Sequence, residues 1–182
     1  MGRFRSMTNL QDLVLDFNDF EASFGEVLNC GNCFETLRLF RSTNNLLTGP
    51  IPPFLSNFTK LHQLHIIGSQ ISGTIPTTLG LLTDLVDLDL SSNNLLADNT
   101  YLPSELGMLT NLERFYVAFS FISGQVPGEY GNLSALRELA IHNTFITGTI
   151  PTSVCSISNL RRIYHSEAVD CSCPGTICSL PL

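Results

Sequence analysis

The apolar positions of this chain recur in a fixed frame. The block Leu61-x-x-Leu64-x-Ile66-x-x-Ser69-x-Ile71-x-Gly73-x-Ile75-Pro76 returns as Leu136-x-x-Leu139-x-Ile141-x-x-Thr144-x-Ile146-x-Gly148-x-Ile150-Pro151. Marking each copy by the polar residue that follows the paired apolar positions gives Asn18, Asn45, Ser69, Asn93, Ser120, Thr144 and a degenerate Ala168. The intervals are 27, 24, 24, 27, 24 and 24 residues. Self-similarity at such a period is the signature of stacked supersecondary units, none of which can bury its own apolar edge. The two long intervals carry three extra residues each, one near Cys30 and one within Ala97 to Tyr101. Insertions of this kind belong in loops between turns.

Within each block, two apolar residues flank one polar residue, as in Leu88-Asp89-Leu90. This period-2 pattern predicts a short strand with one buried face, and its repetition predicts a parallel sheet. The Asn that follows can place its amide inside the bend and bond backbone groups that would otherwise be orphaned; Ser69, Ser120 and Thr144 can do so less completely. Gly49, Gly73, Gly124 and Gly148 suit a tight bend. Pro52, Pro76, Pro103, Pro127 and Pro151 then fix φ and forbid an ordinary helix at that point. Segments such as Leu79 to Leu82 are expected to form short helical or 3-10 turns on the side away from the sheet.

Composition narrows the picture. The 182 residues are 43% hydrophobic and only 14% charged, enough for one continuous core. A net charge of −7 and a single lysine, Lys60, speak against nucleic acid as a partner, because phosphate binding rests on Lys and Arg. No run of about eighteen apolar residues predicts membrane insertion. The segment Met1-Gly2-Arg3-Phe4-Arg5-Ser6-Met7 lacks the apolar stretch of a secretory signal. Phe4 and Met7 align with Leu106 and Leu109, so the first turn is incomplete and the layer around Leu10, Leu13 and Leu15 is expected to be open. A partner or a further segment would cover that edge. Residues 1–163 are read as about six repeats and residues 164–182 as a cysteine-rich cap.

The run Asn45-Leu46-Leu47-Thr48-Gly49-Pro50-Ile51-Pro52-Pro53-Phe54-Leu55 and its later copies resemble the plant-specific class of leucine-rich repeat. That class occurs in ectodomains of plant receptor-like kinases and in polygalacturonase-inhibiting proteins. The resemblance spans roughly Met7 to Ile163, and five turns carry the Ile/Leu/Val-Pro step. It implies an α/β solenoid, a right-handed superhelix with a parallel concave β-sheet and short 3-10 or helical turns on the convex side. It further implies a non-enzymatic, extracellular recognition module that binds a protein, peptide or glycan on the concave sheet, without a cofactor. One alternative is an inhibitor of a secreted hydrolase. Another is a structural or ice-binding surface protein, suggested by the hydroxyl column Thr48, Ser72, Ser123 and Thr147 beside Thr74 and Thr149. The chain departs from the family pattern at Ala97 to Tyr101, where a longer loop replaces the Gly-x-Ile step.

Cys155, Cys171, Cys173 and Cys178 lie where the repeat decays and the last apolar layer would face water, so a disulfide-closed cap is expected. Four cysteines permit three connectivities; the preferred pairs are Cys155 with Cys171 and Cys173 with Cys178. The cysteine-rich end is also similar to leucine-rich-repeat proteins of diatoms and related algae. Cys30-Gly31-Asn32-Cys33 sits in an inserted loop, which favours a structural disulfide over free thiols, a redox dithiol or half a zinc site. Two sequons, Asn57-Phe58-Thr59 and Asn132-Leu133-Ser134, stand at one phase of the repeat and are expected to carry glycans away from the sheet.

Outward positions of successive strands form columns. One reads Val14, Arg41, His65, Asp89, Tyr116, Ala140, Tyr164; the column two places earlier reads Asp12, Leu39, Gln63, Asp87, Arg114, Glu138, Arg162. The candidate ligand-binding residues are Arg41, His65, Asp87, Asp89, Arg114 and Tyr116, centred on Asp87, Asp89, Arg114 and Tyr116. Glu113, Arg137, His142 and Tyr164 complete the set. Arg and Tyr are the residue types in which binding energy concentrates. Asp87 and Asp89 share a face, as an acid–base pair would, but an open surface predicts a solvated pair without catalytic use. His62 and His65 do not form a metal pair, and His165 occupies an inward position near the cap. No catalytic residue and no metal ligand is predicted.

Overall fold

The computed structural model describes residues 7–30, 33–95, 100–174 and 178–180. An eight-stranded parallel sheet runs the length of the molecule. Its strands are Asp12–Val14, Leu39–Thr43, Gln63–Ile67, Asp87–Asp89, Arg114–Tyr116, Glu138–Ala140, Arg162–Tyr164 and Cys178–Ser179. The register matches both predicted columns residue for residue, as in Asp87 beside Arg114 and Asp89 beside Tyr116. The alternation places Phe40, Leu64, Leu88, Phe115, Leu139 and Ile163 fully inside. Each such side chain contributes about 1.5–3 kcal/mol when removed from water. They pack as one continuous core, because every turn shares its apolar edges with two neighbours.

The far side is closed by 3-10 turns at Pro53–Asn57, Thr77–Leu81, Ser104–Met108 and Gly128–Asn132, and by the helix Thr152–Cys155. A proline with φ between −76° and −58° precedes each of the five. These turns stack closely. A side chain on Gly107 would place its Cβ 2.5 Å from the Glu129 carbonyl oxygen, a contact that only glycine avoids. Between the two layers lie short strands where the repeat pattern predicts only a bend. Glu21–Ser23, Leu46–Pro50 and Gln70–Ser72 form one sheet, Ser123–Gly124 pairs with Phe145–Ile146, and Gly148–Thr149 pairs with Val169–Asp170. Among the described residues, Thr48 and Ser72 belong to the first of these sheets and Ser123 to the second. The hydroxyl column therefore does not ride on a single ladder.

Where the polar residue of a turn is Asn45 or Asn93, it ties the strands to these outer segments. Asn93 Nδ2 donates to the carbonyls of Ile66, Leu90 and Ser91 at 2.6, 3.0 and 3.1 Å, while its Oδ1 accepts from Ile71 N at 3.3 Å. Asn45 repeats the pattern toward Leu15 and Thr43, and accepts from Phe20 N. Ser120 and Thr144 each donate a single bond, to Val117 and Ile141, and the buried Ser69 hydroxyl has no partner. The shorter side chains do less, as expected from their reach.

The first insertion folds into a helix, Phe24–Val27, started by a capping box between Ser23 and Glu26. Beyond it the buried Cys30 and Cys33 form a disulfide with Cα atoms 5.6 Å apart. Of the second insertion, residues 97–99 lie outside the described residues, as do Phe4, Gly31 and Asn32; Tyr101 bridges to Ser123.

The cap pairs differently from the expected connectivity. Cys155 bonds Cys173 and Cys171 bonds Cys178, with Cα separations of 5.1 and 5.9 Å. The reason is the route of the chain. After Val169–Asp170 pairs with the outer strand Gly148–Thr149, the buried Cys173 reaches back to the helix Thr152–Cys155. The chain then returns to add Cys178–Ser179 as an eighth strand beside Ile163 and Tyr164, which brings Cys178 next to Cys171. His165 is buried as expected and lies near the Cys171 and Cys178 sulfurs, but a disulfide offers no thiolate to a metal. Replacing Cys171 and Cys178 with serine is expected to cost about 2 kcal/mol, since the closed loop is short. Amide exchange should accelerate in Arg162–Tyr164 and stay unchanged in Leu39–Thr43.

Candidate binding face

The surface of the main sheet turned away from the core carries three columns. Backbone bonds continue past the strands, from Ser92 N to Ala118 O and from Phe119 N to His142 O. They add a third column to the two expected from the sequence, with Ser91, Ala118 and His142 in adjacent turns.

Most charges on this face are tied to a neighbouring turn. Arg41 Nε donates to Asp16 Oδ2 at 2.5 Å, and Arg137 Nε lies 3.1 Å from Glu113 Oε2. Glu113 and Arg137 stand one residue ahead of their strands, outside the columns. Arg114 donates through Nε and Nη2 to Asp87 Oδ2 at 2.9 and 2.6 Å, and His65 Nε2 lies 3.2 Å from the same oxygen without hydrogen-bond alignment. The expectation of a solvated carboxylate pair is therefore overturned, since Asp87 is only 5% exposed. Arg114 and His65, in the turns to either side, cover it.

Burial pushes the Asp87 carboxyl up, but the close contact with His65 and the paired hydrogen bonds and charge of Arg114 outweigh it, and the net shift is downward. Burial dominates at Asp89, whose carboxyl is raised even though Ser91 N donates to its Oδ1 at 2.9 Å. The two carboxyls thus diverge. Neither opens onto the concavity that this face contains.

That concavity, a hollow of about 380 Å³, lies toward the C-terminal turns. Its floor is Ala118 and Ala140, both buried, in positions where the flanking turns carry larger groups. Tyr116, Phe119, His142 and Tyr164 form its walls, with Glu138, Ser91 and Ser92 at the margin. The Tyr116 hydroxyl donates to Glu138 Oε2, and Arg162 Nη1 donates to the Tyr164 hydroxyl at 3.1 Å. Burial, then the Glu138 carboxylate, raises the Tyr116 phenol. Burial lowers His142, so its ring is neutral at neutral pH.

Of the residues expected to bind, Tyr116, His142 and Tyr164 come together here. Asp87, Asp89, Arg114 and His65 form a separate cluster, and Arg41 stands apart beside Asp16. Glu138, Phe119 and the two alanines were missed as site residues. Their signal was present in the sequence, as two small outward residues in adjacent columns bordered by rings.

Stacked 24-residue turns, a parallel sheet, an asparagine ladder and proline-headed 3-10 turns define a leucine-rich-repeat solenoid. No family model matches the chain. Among curated proteins it is 38% identical over 80 residues to receptor-like protein 6 of Arabidopsis thaliana, covering 44% of this chain and 8% of that protein. Among solved structures it resembles the ectodomain of the receptor kinase GASSHO1/SCHENGEN3 from Arabidopsis thaliana, at TM-score 0.76 and 28% identity, covering 87% of this chain and 19% of that one. The ectodomain of the Arabidopsis receptor kinase HAESA, solved with a peptide hormone ligand, matches at TM-score 0.70 and 28% identity over 86% of this chain and 24% of that one. The chain is a plant-type leucine-rich-repeat protein similar to receptor ectodomains, and it spans well under half the length of these relatives.

Proposed function

We propose that this chain is an extracellular recognition module that holds an extended peptide along its concave face and performs no chemistry on it. The observation that carries this reading is the preformed hollow in a face whose ion pairs are otherwise closed between turns. A concave, ring-lined site with few polar groups is what a side chain of a bound partner fills. The diverging carboxyls Asp87 and Asp89 do not line it, and Asp87 is capped by Arg114, which removes the acid–base reading its neighbourhood would otherwise invite. The peptide-bound HAESA neighbour supports the class of ligand. Among the described residues, no helix is long and apolar enough to cross a membrane.

Asn57 and Asn132 end equivalent 3-10 turns on the convex side and are exposed, as are Thr59 and Ser134. We read both as glycan acceptors that leave the sheet face clear. Selection of a random displayed peptide library on the whole chain is expected to yield binders that lose at least about tenfold in affinity to Ala140→Leu, which fills the hollow. Binders unaffected by that change and by charge reversal at Glu138 would sink the reading.

A further inference from the structure

We infer that the hollow is a cation subsite that takes the basic side chain, arginine or lysine, of the bound peptide; this rests on the reading of the concave face as a peptide-binding surface. The rings decide the chemistry. Phe119 meets His142 at an interplanar angle of 82° with centroids 5.2 Å apart, and His142 meets Tyr164 at 66° and 6.2 Å. Rings set steeply to one another build the sides of a box. A sugar would instead need one flat ring face to stack upon. Aromatic boxes attract cations through the negative face of each ring, the more so where water is partly excluded.

The polar margin agrees in sign. Glu138 is the one carboxylate bordering the hollow, no lysine or arginine among the described residues lines it, and its Oε2 already accepts from Tyr116, which orients the group. The two guanidinium groups that flank Glu138 in its column each hold another partner, Arg114 the Asp87 carboxylate and Arg162 the hydroxyl of Tyr164. His142 is held neutral by burial, so it presents a ring and not a competing charge.

Phe119 adds a separate observation. It sits at φ +53° and is 56% exposed, at the register position that Phe17, Asn44, Gly68, Ser92 and Asn143 fill in other turns, so the left-handed conformation belongs to the position and not to this residue alone. The conformation keeps an apolar ring on the rim of the box.

Titration of the whole chain with acetylarginine methylamide, followed through the ring protons of Tyr116, Phe119, His142 and Tyr164, tests the subsite. Acetylcitrulline methylamide, of the same shape without the charge, and methyl glucoside serve as comparisons. The arginine probe is expected to bind about five- to tenfold tighter than citrulline. That preference should be reduced by Glu138→Gln and lost in Ala140→Leu, whose fold is checked by unchanged core methyl shifts. Equal shifts with citrulline, tighter binding of the glucoside, or arginine shifts that survive Ala140→Leu would each overturn the inference. The outcome is separable from the broader reading. Library peptides that need the hollow but carry no preferred basic residue would leave peptide binding standing and remove the cation subsite.

Discussion

Replacing Asn93 with alanine is expected to destabilise the protein by about 3–4 kcal/mol, because it leaves several buried backbone groups without partners at once. Ile66 and Leu90 carbonyls lose their donor and Ile71 N loses its acceptor. The carbonyl of Ser91 is spared, since Gly68 N also donates to it. Ser69→Ala provides the contrast: the buried Ser69 hydroxyl bonds nothing, so its removal should change stability by less than about 1 kcal/mol in either direction. Urea unfolding of both variants checks the pair of values. Hydrogen exchange should place the Asn93→Ala loss in the strands Gln63–Ile67 and Asp87–Asp89, because turns of a solenoid depend chiefly on their nearest neighbours. Equal losses at the two positions would contradict the ladder as the main polar support of the bend.

Arg114→Ala is expected to cost about 2–3 kcal/mol near neutral pH. Removing one partner of a buried pair is worth more than that, but the Arg114 side chain is 41% exposed and part of its pairing is screened by water. What remains is Asp87, 7% exposed in its side chain and flanked by His65 alone. The pH dependence gives the sign. The Asp87 carboxyl lies below its ordinary value of 3.8 in the folded protein. Its contribution is therefore fully present above that value and disappears as pH falls through the lower folded value. In the variant, burial is opposed only by His65, so the carboxyl rises and protonates earlier. The stability difference between wild type and variant should thus be largest near pH 7 and shrink below about pH 4. Asp89 works in the opposite direction, because its carboxyl is raised and its ionised form is disfavoured by folding. It is present in both proteins and cancels in the difference. A pH-independent loss would mean that Arg114 acts through packing of its stem and not through its charge.

The gap between the expected and observed site has a physical origin that the columns make visible. Period-2 alternation tells which side of the sheet a residue faces, and Asp87, Asp89, Arg114 and Tyr116 do share that side. It does not tell which charges consume one another. Asp87 and Arg114 are adjacent in the register and close into a buried pair, so two of the residues ranked highest for binding serve each other. The hollow arises one turn further on, where Ala118 and Ala140 leave space that Tyr116 and Tyr164 border. A binding depression is defined by what is missing from a column, and a search for Arg and Tyr passes over alanines.

The cap shows the same limit in covalent form. Spacing along the chain could not separate the three pairings of Cys155, Cys171, Cys173 and Cys178, because each pairing closes loops of acceptable length. The choice was made by two sheets competing for the last segment: Val169–Asp170 joins the outer one and Cys178–Ser179 the inner one.

The repeat itself was determined by the sequence alone. Its period, strand positions, polar ladder and proline-headed turns follow from local conformational preference and from apolar edges that only stacking can bury, and these recur in most copies. Tertiary structure decided what depends on neighbours in adjacent turns: the second set of strands, the cap disulfides, the burial of Asp87 and the ring-walled hollow. Each of these is a contact between residues 21 or more positions apart, or across the return of the chain at its end, where local pattern carries no information about which partner is met.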